Sequence, residues 1–314
     1  MTFPWRCLAG AIVSLFGFSA PARAQEGFAS NQLNAPARPS PFWGLEPATE
    51  LRDAYSIGLR SSYLNGPVQF ALAAPSETAT RVPVVSHLWL IEGTFALRLA
   101  EGLDVGVALP WNAVQTGSGI GTVTGATGDL PTTAIGDPRF SVGYGVETES
   151  FAVRGFGVVS LPLGSPEAFS GEGNAHGDLG VALSYLDHEF ELSLDLRAQL
   201  RAPRTLGLYR LGSGMRVAAG FRYRPTPLAS VSLEGYLAPS FESQPSALDE
   251  ESAGSPLPAE LLLGGQLALD RYTLGLGLGA GLPLGSRSSL TGGGGALSPT
   301  VPAFRALLDF RATF

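Results

Sequence analysis

Apolar and polar residues alternate one for one along most of the chain beyond residue 54. The cleanest run is Phe190–Leu200. There Phe190, Leu192, Leu194, Leu196, Ala198 and Leu200 interleave with Glu191, Ser193, Asp195, Arg197 and Gln199. A period of two predicts a β-strand with one apolar and one polar face. The end of the chain repeats it: Phe304, Ala306, Leu308, Phe310, Ala312 and Phe314 alternate with Arg305, Leu307, Asp309, Arg311 and Thr313. The same reading predicts strands over 54–65, 82–100, 103–111, 135–146, 151–161, 177–186, 213–223, 229–238, 259–269 and 272–282, twelve with the two above. In 272–282 leucine alternates with Gly275, Gly277, Gly279 and Gly281, which leaves room beside that face for a solute or for residues 25–53.

The connections alternate in length. Short turns are expected near 101, 148, 188, 226 and 270, and long loops near 65–82, 112–134, 162–176, 201–212, 239–257 and 283–302. An even number of strands joined in this way, with a continuous apolar face, predicts an all-β fold: an antiparallel up-and-down transmembrane β-barrel of about twelve strands. A soluble β-sandwich also alternates, but its outer faces are polar and its connections need not alternate long and short. Strands cross a bilayer only as a closed barrel, with no unpaired edge left in lipid.

Two segments precede the barrel at 54–314. Residues 1–24 read as a signal peptide: Arg6, an apolar run from Cys7 to Ala20, and a small-x-small site at Ala22-Arg23-Ala24. Residues 25–53 hold Pro36, Pro39, Pro41 and Pro47 without sustained alternation. They read as a Pro-rich leader, periplasmic or tucked into the barrel as a plug. Export, a barrel and no long apolar helix together indicate the bacterial outer membrane, with its lipid and the barrel assembly machinery as partners.

Composition sharpens this picture. Glycine numbers 41, and charged residues make up only 15%. Removal of Arg6 and Arg23 leaves 18 Arg against 27 acidic residues, a formal charge of −9, which disfavours nucleic acid as a partner. Cys7 is the only cysteine, so the mature chain is expected to carry no disulfide or thiol chemistry.

The polar faces predict what lines the lumen. Arg60, Arg98, Arg139, Arg154, Arg197, Arg216, Arg222, Arg305 and Arg311 stand against Glu92, Asp104, Asp137, Asp178, Glu191, Asp195, Glu234, Glu260 and Asp309. Nine of each sign suit a network of ion pairs bracing the wall, rather than the one-sign ring of an ion-selective pore. A polar lining for small solutes is the sharper alternative.

No catalytic residue, cofactor site or metal site is expected. His87 and Ser86 alternate onto opposite faces, His176 lies in a loop near Asp178, and His188 lies in a tight turn. Geometry has to bring an acid, a base and a nucleophile together before chemistry is argued. The acidic loop with Glu242, Asp249, Glu250 and Glu251 reads as solvated rather than as a cation site.

Four stretches carry a resemblance. These are Ile135-Gly136-Asp137-Pro138-Arg139-Phe140, the repeated Leu-Pro-Leu-Gly at 161–164 and 282–285, the Gly-rich penultimate hairpin, and Pro302-Ala303-Phe304-Arg305. Together they resemble the barrel region of OmpA-like outer-membrane proteins of myxobacteria, and they are similar to barrels labelled as transporters of phenol meta-pathway operons. The resemblance implies an outer-membrane barrel. OmpA-like chains often continue into a peptidoglycan-binding domain; this sequence ends at Phe314, so no wall anchor is expected.

The sequence thus points to transporter- or porin-like passage of small solutes. A structural or surface-interaction barrel closed by salt bridges is the alternative, and an outer-membrane lipid hydrolase a distant third. Phe310 and Phe314 are read as the assembly signal of the closing strand. Phe314→Ala is expected to lower the amount of folded barrel in the outer membrane, measured as heat-modifiable mobility in gels of membrane fractions.

Overall fold

The computed structural model describes residues 29–31, 33–72, 80–119, 129–206, 209–242, 257–284 and 301–314. The predicted signal peptide, the start of the leader, and the loop residues Asp249, Glu250 and Glu251 lie outside the described residues.

Twelve strands form one antiparallel wall: β1 (Tyr55–Leu72), β2 (Thr80–Ala100), β3 (Leu103–Thr116), β5 (Arg139–Glu147), β6 (Phe151–Ser160), β7 (His176–Leu186), β8 (Phe190–Leu200), β11 (Gly214–Thr226), β12 (Ala229–Leu237), β13 (Ala259–Leu269), β14 (Tyr272–Gly281) and β15 (Phe304–Thr313). Three short elements sit outside it. β4 (Ala134–Ile135) touches only the upper part of β3, and β9 (Arg204–Leu206) pairs with β10 (Tyr209–Leu211). Each wall strand pairs with its neighbours in sequence, and β1 closes the cylinder on β15 from Ser56↔Thr313 to Asn65↔Phe304.

The faces are inverted relative to a soluble protein. Leu276 is 67% exposed on the outside, while Asp195 and Arg305 are fully buried inside. Only a surrounding apolar medium makes that distribution favourable, so the outer face meets lipid. Short turns join the strands at one end. Gly102 adopts φ +71° in one of them, where a Cβ would strike the Gly145 carbonyl, and Asp270 adopts φ +54° in another.

The wall departs from the predicted strands in three places. β1 and β2 continue to Leu72 and from Thr80, across a stretch read as loop. Their inward residues there are apolar: Leu64, Val68, Val84, Val85 and Leu88 pack with Phe169 and Leu211 from long loops. With the inward face apolar and Asn65 and His87 on the outer one the alternation is lost, and a bulge at Asn65/Val68 absorbs Gly66-Pro67. β3 likewise runs past Trp111 to Thr116. The strand predicted over 135–146 is broken at Gly136-Asp137-Pro138, so β5 starts at Arg139. As a result the β3–β5 joint is short, from Leu103↔Tyr144 to Ala108↔Arg139.

If the outer face meets lipid, Leu276→Arg should cost about 2–4 kcal/mol. Leu163→Arg, on an exposed long-loop side chain, should stay within about 0.5 kcal/mol. Denaturant unfolding of the barrel refolded into phospholipid vesicles measures both.

Candidate functional site

The lumen is filled by the leader. The described residues of 29–53 form no strand, yet Leu33, Phe42, Trp43, Leu45, Ala48 and Leu51 are buried. One end lies at the long-loop mouth: the Ser30 amide donates to the Phe169 carbonyl, and Asn31 Oδ1 accepts from Arg305 at 2.9 Å. The other end lies at the short turns, where Arg52 pairs with Glu147 at 2.7 Å and the Glu50 amide donates to the same carboxylate. The segment therefore runs the length of the barrel.

The wall grips it mainly by its backbone. Glu234, buried on β12, accepts the amides of Trp43 and Gly44 at 2.6 and 2.8 Å. Asp195 accepts the amide of Glu46 at 2.9 Å. Arginines take the carbonyls: Arg60 that of Trp43, Arg197 and Arg216 that of Gly44, and Arg311 those of Arg38 and Ser40. Two leader side chains join the charge network, Arg38 on Asp104 at 3.0 Å and Glu46 near Arg154 at 3.5 Å.

Trp43 is the centre of the plug. Its ring fills the space left by Gly264, Gly275 and Gly277; a Cβ at Gly277 would stand 2.7 Å from it. The room beside the glycine face of β14 is thus taken by the leader. Arg60 covers the indole at 5.6 Å, and the indole N–H has no hydrogen-bond partner among the described residues. Phe42 lies against Gly220 in the same way.

The remaining predicted lumen residues fall into local groups. Asp309 binds Arg311 at 2.7 Å and Arg60 at 3.3 Å. Glu92 binds Arg139. Arg154 takes both oxygens of Asp104, each at 2.7 Å, by reaching across Gly143 on the strand between. Arg305 reaches Glu260 at 2.6 Å across Gly279, and Tyr236 donates to the same carboxylate at 3.0 Å. Arg197 binds Asp195 and lies 3.8 Å from Asp178. Arg222 pairs with Glu191 at 2.6 Å, and Arg216 stacks on Tyr236 at 4.2 Å.

Two predicted residues lie elsewhere. Arg98 keeps the inward parity of Glu92 but is exposed at the end of β2, beside the Glu101–Gly102 turn. Asp137 sits in the break before β5, where it accepts the amides of Gly164 and Glu172 at 2.8 and 2.7 Å and so ties down the following long loop. Phe310 stacks on Tyr272 at 5.9 Å, and Phe314 stacks on Tyr55 at 5.1 Å across the barrel closure. His87 meets Tyr63 Oη at 2.8 Å on an exposed face, His188 is exposed, and His176 lies 3.7 Å from Glu172. Among the described residues no group of His, Cys, Asp and Glu is arranged to hold a metal.

The sequence pattern did not single out Arg38, Trp43, Glu46, Glu172 and Arg201, whose carboxylate partners include Asp104 for Arg38 and Glu172 for Arg201 at 2.9 Å. Only Trp43 left a trace: an aromatic in a Pro-rich stretch, together with glycine runs on facing strands.

A closed twelve-stranded wall, lipid-facing outside and charged inside, defines the chain as a β-barrel of the outer-membrane type. No protein-family model matches the sequence, and no curated protein matches it. Among solved structures it is similar to the COG4313 outer membrane channel from Pseudomonas putida F1, with TM-score 0.57, 15% identity, 86% of this chain covered and 100% of that one. The KdgM porin aligns at TM-score 0.47 and 10% identity, over 82% of this chain and 99% of that one. The P. putida toluene transporter TodX aligns at 0.45 and 10%, over 84% and 91%.

Replacing Glu234 by Gln leaves one oxygen for two amides and removes the charge facing them. The variant is expected to loosen the leader by about 1–3 kcal/mol. Amide exchange at Trp43 and Gly44 should then rise by about tenfold or more while the wall strands keep their protection. Hydrogen exchange with mass spectrometry on the detergent-folded barrel measures this.

Proposed function

We propose that the protein is a gated outer-membrane channel for small solutes, a transporter- or porin-like barrel in which the leader 29–53 is the gate. The observation carrying this reading is the way the leader is held. The grip consists of separate hydrogen bonds and ion pairs, and one indole sits in a glycine-lined recess. Contacts of this kind can be released and remade while the wall's own strand ladder stays intact. The likeness to a solved outer membrane channel supports the architecture on which the proposal rests.

The finer kinship, with OmpA-like myxobacterial barrels and with barrels of phenol meta-pathway operons, rests on the short motifs around Asp137, Gly164 and Phe304 and remains part of this proposal. So does a non-enzymatic role: His87, the histidine next to a serine, is engaged by Tyr63 on the outer face.

The alternative is a structural or surface-interaction barrel permanently closed by its charges. The many buried ion pairs favour that reading, and conductance separates the two. In planar bilayers the wild-type barrel should show rare, small events. Trp43→Ala should raise their frequency or size several-fold by emptying the recess. Gly277→Val should act in the same direction by expelling the ring. Silence of all three proteins at every voltage, with heat-modifiable folding intact, overturns the channel reading and leaves the closed barrel.

A further inference from the structure

Below the leader, at the short-turn end, the barrel opens into a vestibule of about 310 Å³. Its roof is the Pro39-Ser40-Pro41 bend of the leader, and its wall includes Arg222, Arg224 and Arg311 with no carboxylate among the lining residues. The three arginines are not equivalent. Arg311 is committed to Asp309 and to two leader carbonyls. Arg222 pairs with Glu191 through Nη2, while its buried Nε has no partner.

Arg224 has no carboxylate within ion-pair distance among the described residues. One Nη donates to the Asp187 carbonyl, and Nε, buried, has no partner. Arg222 and Arg224 are two apart on β11, so their guanidinium groups share the inward face, one repeat along the strand. Two neighbouring cations in the lining, the second with no carboxylate within ion-pair distance, form a receptor for an anion, and the planar guanidinium suits a carboxylate best. The rest of the lining sets the shape of the guest. Pro39, Pro41, Pro227, Leu228 and Ala268 offer apolar surface opposite the cations.

We propose that this vestibule binds a small organic carboxylate with an apolar body, its carboxylate on Arg224 and Arg222 and its body against the prolines and Leu228. The site is complete in the closed barrel, so it does not depend on the lumen conducting. Its occupant would meet the protein from the side of the short turns, periplasmic in barrels of this class.

The test uses the full barrel folded in a neutral detergent, with benzoate as the probe and isothermal titration as the readout. Saturable benzoate binding is expected, with neutral benzamide and acetate each weaker by about tenfold or more. Arg224→Gln should weaken benzoate by a similar factor, and Arg224→Lys by less. Arg98→Gln, which removes an exposed arginine from the same end but outside the vestibule and the leader, should change nothing. Heat-modifiable mobility checks that each variant is folded. Absence of saturable benzoate binding, equal binding of benzamide, or unchanged affinity in folded Arg224→Gln overturns the site. Acetate binding as tightly as benzoate overturns the role given to the apolar lining.

Discussion

A twelve-stranded wall encloses more space than its own side chains can fill, and everything inside this protein follows from that. Eight strands give a bore that side chains just close; larger barrels are left with a lumen to fill or to use. Here the inward faces are charged, because alternation has already spent the apolar residues on lipid. A dry interior with charged walls is unstable unless each charge finds a partner. The leader meets both demands at once. It supplies Phe42, Trp43 and Leu45 as bulk, and its peptide groups serve as partners for Glu234, Asp195, Arg60, Arg197 and Arg311.

Glycine makes the charge network possible. Arg154 and Asp104 are on strands separated by β5, and Gly143 between them leaves the guanidinium room to lie flat over the wall. Gly279 leaves room for the other partner, Glu260, whose Oε1 a Cβ there would meet at 2.8 Å. A side chain at Gly143 would lift the arginine off the sheet, one at Gly279 would displace the carboxylate, and either breaks a pairing of two oxygens by two nitrogens. Such buried pairs add little net stability, since desolvation offsets much of their attraction. Their larger contribution is to register. A slip by one residue turns a strand's charges toward lipid, and Glu191↔Arg222 and Arg60↔Asp309 face each other directly only in the register seen.

The strand count and the inside-outside sense were legible because a period of two survives any substitution that keeps polarity. Phe190–Leu200 is one such strand, read to the residue. Legibility failed where polarity stopped alternating. The upper part of the first hairpin is apolar inside, where loop residues such as Phe169 cover it, and carries Asn65 and His87 outside, so its extension beyond Asn65 read as a loop. Asp137 read as a wall residue because parity alone cannot see that Gly136 and Pro138 lift the chain out of the ladder. The leader's path was not legible at all. It is held through peptide groups, which every residue has, so its sequence carries little record of the contacts. The glycine face of β14 showed room for a solute or for the leader, without deciding between them.

Being held by the backbone also decides which interactions keep the leader in place. If it slides or swings, water entering the lumen can replace the hydrogen bonds to Trp43, Gly44 and Ser40; their wall partners are the charged Glu234, Arg60, Arg197, Arg216 and Arg311, so each is worth about 1.5–3 kcal/mol net. The apolar side chains have no such substitute. Exposing Phe42 or Leu45 forfeits about 1.5–3 kcal/mol apiece. Trp43 stands to lose its glycine-lined recess and its contact with Arg60 as well. The fit of three side chains and the charged hydrogen bonds around them therefore hold the leader in comparable measure. The polar contacts fix where the leader lies, and the indole in its recess adds to how firmly.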